Sequence, residues 1–144
     1  MALKSISSAD PNFVPNYQLS AIPYVTSSAG SEVKHDATIK ISFPFVTKYV
    51  KINNTGDAPL RVSFSQFGVT GSLGTSSANF FIIPTAAAGD VCIQDFDVRC
   101  NELYFRAEGA GSSADTDFSV FAGLTPIPSS SFPRIHLGTG FQGV

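Results

Sequence analysis

Residues 45–67 read FVTKYVKINNTGDAPLRVSFSQF, two runs of alternating side chains joined by a polar turn. Val46, Val50 and Ile52 fall on one side of the first run, with Thr47, Tyr49, Lys51 and Asn53 on the other. After the turn, Leu60, Val62 and Phe64 alternate with Arg61, Ser63 and Ser65. Successive side chains on a strand point to opposite faces, so a period of two marks two half-buried β-strands. The turn NNTGDAP offers Asn54 and Gly56 for positive φ, Asp57 to bond its own backbone and Pro59 to end it. The two strands either share a ladder as a hairpin or face each other across a core from different sheets. Val50, Ile52, Val62 and Phe64 point inward in both arrangements.

Working outward, the same pattern recurs. Residues 37–43 alternate Ile39, Ile41 and Phe43 with Thr38, Lys40 and Ser42. Further strands are expected over 19–26, where Pro23 favours an edge, and over 80–83, 90–100, 102–108 and 118–124. The inward set is then Ile39, Ile41, Val50, Ile52, Val62, Phe64, Leu103, Phe105, Phe118 and Val120. Residues 68–78 and 109–115 are Gly/Ser-rich and read as loops exposed at the ends of the domain; TAAAG, residues 85–89, has room for one helical turn. About eight short strands with frequent turn signals and no amphipathic helix predict an all-β fold, an antiparallel two-sheet sandwich of the eight-stranded single jelly-roll type. An immunoglobulin-like sandwich is the alternative. Residues 1–18 read as an extended arm, 19–125 as the jelly-roll domain, and 126–144 as a tail packing on the domain or on a neighbour.

Composition narrows the function. The chain has 144 residues and 15.2 kDa, enough for one core. Charged residues are only 14%, against about 25% in ordinary soluble domains, which suggests a surface largely covered by neighbours. The net charge is −2, the nine Lys and Arg are scattered, and Lys4 is the only basic residue among the first thirty. Direct nucleic-acid binding needs a basic patch and is not expected. No run is long or apolar enough for a transmembrane helix, and the first residues lack the apolar stretch of a secretory signal. Cys92 and Cys100 then read as free thiols of a protein made in a reducing cytosol.

Motifs that carry chemistry are weak. Gly138, Gly140 and Gly143 spell GxGxxG, but a single residue follows, leaving no room for the helix that would meet a phosphate. His35 and His136 are the only histidines and are far apart in sequence, unlike a metal cluster. Asp90, Asp95, Asp97 and Glu102, and separately Asp115 and Asp117, lack calcium-loop spacing and read as solvated carboxylates. Asn53-Asn54-Thr55 is a glycosylation sequon better explained as turn chemistry. Tyr17, Tyr24, Tyr49, Phe67 and Phe81 are candidates for a sugar platform or, in preference, for an interface. No catalytic residue, metal site or cofactor is expected.

The order of motifs carries a resemblance. Phe43-Pro-Phe-Val46, Lys48-Tyr-Val-Lys-Ile-Asn-Asn54 and Leu60-Arg-Val-Ser-Phe-Ser65 with Gly68 shortly after are followed by Glu102-Leu-Tyr-Phe-Arg106 and Phe118-Ser-Val-Phe-Ala-Gly-Leu-Thr125. Over about residues 20–144 the chain resembles the small single-jelly-roll penton and minor capsid proteins of large icosahedral double-stranded DNA viruses of algae and protists. The resemblance implies a structural, non-enzymatic virion protein, a homo-oligomer (a pentamer in preference to a trimer) at capsid vertices, in contact with neighbouring capsid proteins. It also implies synthesis in the host cytoplasm and a genome enclosed by a membrane, so that the shell need not grip it. No insertion is large enough for a receptor-binding outer domain. The alternative is a carbohydrate- or receptor-binding β-sandwich, such as a trimeric fibre or tail head.

Overall fold

The computed structural model describes residues 20–28, 30, 32–71, 78–85, 92–109 and 115–132. Within them run β1 (Ile22–Ser27), β2 (Ile39–Ser42), β3 (Phe45–Asn54), β4 (Leu60–Ser63), a short helix α1 (Gln66–Thr70), β5 (Phe81–Ile83), β6 (Ile93–Phe96), β7 (Glu102–Ala107) and β8 (Phe118–Pro128). Their pairing is nested: β1 pairs with β8, β2 with β7, β3 with β6 and β4 with β5, all antiparallel. The chain is thus one long hairpin of four strand pairs. Rolling it up adds the β3–β8 and β4–β7 ladders, giving two four-stranded sheets ordered β1-β8-β3-β6 and β2-β7-β4-β5. That is the jelly roll.

Residues 45–67 therefore form no hairpin ladder. β3 lies inside the first sheet and β4 inside the second, so the chain crosses the sandwich at the turn. The core between the sheets contains Ile41, Val50, Ile52, Val62, Leu103, Phe105, Phe118 and Val120, joined by Leu60, Ile83, Ala122 and Leu124. At its centre the rings of Phe105 and Phe118, one from each sheet, stack with centroids 4.4 Å apart. Ile39 and Phe64 are only half-buried against this cluster. Phe64 loses the inward position that alternation assigns it because β4 ends at Ser63, and Ser63 and Ser65 are buried instead.

Other expectations shift for local reasons. Thr47, assigned outward by alternation, is fully buried. The β3–β8 register slips on both sides of it, and a register slip reverses which residues face inward. The strand expected over 118–124 continues to Pro128, so the first residues of the expected tail belong to β8. A 3-10 turn, Ser129–Ser131, then folds onto the domain, Ser129 Oγ donating to the Phe43 carbonyl at 2.5 Å. Part of the loop expected over 68–78 is helical: α1 is capped by Ser65, whose Oγ accepts from the Gly68 amide at 2.9 Å, and Gly68 and Val69 are buried. The arm over 1–18, the helical turn expected at residues 85–89 and most of the loop over 109–115 lie outside the described residues, apart from Thr85, Gly109 and Asp115.

Candidate functional site

The four connections at one end of the sandwich meet at one buried side chain. Asn54, at the end of β3, is 1% exposed. Its Nδ2 donates to the carbonyls of Ala58 (2.8 Å), Ile83 (3.2 Å) and Pro84 (3.1 Å). With two hydrogens for three acceptors, one bond is shared. Its Oδ1 accepts from the Gly56 amide (3.2 Å) and Thr116 Oγ1 (2.7 Å). Thr116 in turn exchanges backbone bonds with Val33. One amide thus ties together the β3–β4 turn, the end of β5, the approach to β8 and the β1–β2 connection. Gly56 does not take the positive φ that the turn sequence suggests; among the described residues Gly30 and Gly109 do. It is small because Thr116 and Asp117 press on it, the Asp117 amide lying 2.5 Å from where a Cβ would sit.

The residues singled out for chemistry are dispersed or already engaged. Asp117 Oδ1 accepts from Ser28 Oγ (3.2 Å) and the Glu32 amide (3.1 Å), and Asp115 pairs with Lys34 at 2.5 Å. These two hold the β1–β2 connection rather than being freely solvated. Glu102 pairs with Lys40 at 2.6 Å and Asp95 with Lys51 at 3.5 Å, while Asp97 is exposed. His35 is half-buried, its carbonyl accepting from Arg106 Nε at 2.6 Å. Asp90, His136, Tyr17 and the glycines 138, 140 and 143 lie outside the described residues. Among the described residues no three His, Cys, Asp or Glu gather as metal ligands would, and no helix is long and apolar enough to cross a membrane. Cys100 is buried beside Thr47, whose Oγ1 accepts from the Cys100 amide at 2.9 Å; burial pushes the thiol pKa up. Cys92 is half-buried. Asn53 sits within a paired strand, against Ile93 and Ser119.

The outer faces of the two sheets differ in kind. On the second sheet, Lys40, Glu102 and Tyr104 form a polar group in which Tyr104 donates to Glu102 at 2.8 Å. The hydrogen bond to Glu102 holds the Lys40 pKa up, and burial together with Glu102 raises that of Tyr104. Beside it, Arg61 pairs with Glu108, covers the Phe80 ring at 4.3 Å and donates to the carbonyls of Val69 and Gly71. Arg61 thereby fastens α1 over the outside of β4 and β7, with Val69 fully buried beneath it. α1 thus covers the β4–β7 part of this face, while Lys40 of β2 stays exposed.

On the first sheet nothing among the described residues does so. Val25 of β1 and Phe121 of β8 are register partners, 68% and 39% exposed. Phe121 stacks on Tyr49 of β3, centroids 6.1 Å apart. The Tyr49 ring lies across Gly123, where a Cβ would come within 2.7 Å of Cζ. Of the sequence's aromatic candidates, Tyr49 is thus on this face, whereas Tyr24 packs edge-on against Phe43 at the core. Phe67 (71% exposed) and Phe81 (48%) lie on the far flank, on α1 and on edge strand β5. The gathering of Val25, Tyr49 and Phe121 was hidden because it depends on β1, β3 and β8 being neighbours. No family model matches the chain, and no curated protein or solved structure matches it either.

Proposed function

We propose that this protein is a structural virion protein, a single-jelly-roll penton or minor capsid subunit that assembles as a ring in an icosahedral shell. The observation that carries this reading is the contrast between the two sheets of the jelly roll. α1 covers the β4–β7 part of the second sheet's outer face, whereas the first presents Val25, Tyr49 and Phe121, bordered by Lys51, with no cover among the described residues. Exposed apolar patches rimmed by polar groups mark interaction surfaces. A rigid sandwich, tied by Asn54 at one end, suits a subunit whose work is shape and burial, and the motif order that resembles vertex proteins agrees with it. The low charge content fits a surface that meets other protein.

Electron microscopy of the virus particles tests this reading. We expect density for this eight-stranded sandwich at the vertices, repeated around the five-fold axis. Particles complete without this chain would reject it.

A further inference from the structure

We draw no further inference here: the strongest candidate, the open outer face of the first sheet where Val25, Phe121 and Lys51 stand in one cross-strand row beside Tyr49, is an unpartnered face, and nothing in the structure shows what covers it.

Discussion

Asn54 is the residue on which one end of the fold depends. Its amide satisfies three buried carbonyls and accepts from two donors, and unpaired buried polar groups cost ~1–3 kcal/mol each. Asn54→Ala should therefore lower unfolding free energy by about 3 kcal/mol in urea melts. Asn54→Asp adds a pH signature. Its carboxyl would face the carbonyls of Ala58, Ile83 and Pro84, which favour the protonated form, so its folded pKa lies above the unfolded value. Stability is then greatest below about pH 4 and falls as pH rises through the folded pKa, the reverse of an ordinary salt-bridged acid. At the other end, Cys100 is 2% exposed with its thiol pKa raised by burial, whereas Cys92 is half-buried. Iodoacetamide should label Cys92 readily and Cys100 only on unfolding. The sequence marks Asn54 as a turn residue and Gly56 as a left-handed one, because both stand in a turn-like string. Their actual roles depend on Ile83, Pro84, Thr116 and Asp117, which lie some thirty to sixty positions away and leave no local trace.

At the scale of elements, period-two alternation is legible wherever a strand is regular. β7 shows it plainly, with Leu103, Phe105 and Ala107 buried between half-buried neighbours. It misleads where the register slips at Thr47 and where β4 stops before Phe64. The helix α1 is illegible for a different reason. Five residues form no stable helix alone, and this one persists because Ser65 caps it and Arg61 clamps it to the sheet. Ser65→Ala should cost ~1 kcal/mol, and Arg61→Ala should speed amide exchange through residues 66–71 while leaving β3 and β8 protected. Lys40 and Tyr104 on the same sheet set an alkaline limit. Both have folded pKa values above their unfolded ones, so their contribution is fully present below about pH 10 and is lost as pH rises further. The melting temperature should hold steady from neutral pH into the mild alkaline range and drop beyond it, less so in Tyr104→Phe. Lys40 is largely exposed, so its share is small and screened by salt.

At the scale of the whole molecule, the sandwich form is legible in the spacing of strands and turns, whereas the strand order is not. The nested pairing is a property of partners up to a hundred residues apart, as Ile22 opposite Leu124 shows. The central stack of Phe105 on Phe118 joins the two sheets, and Phe105→Ala should cost about 3–5 kcal/mol and lower the melting temperature of every strand together. The same strand order brings Val25, Tyr49 and Phe121 onto one open face, the surface on which the proposed assembly rests. Native mass spectrometry of the purified 144-residue chain is the most direct test of that proposal. Assembly as a vertex ring requires a species of five times the 15.2 kDa chain mass; a monomer at tens of micromolar, or a closed trimer, would contradict it.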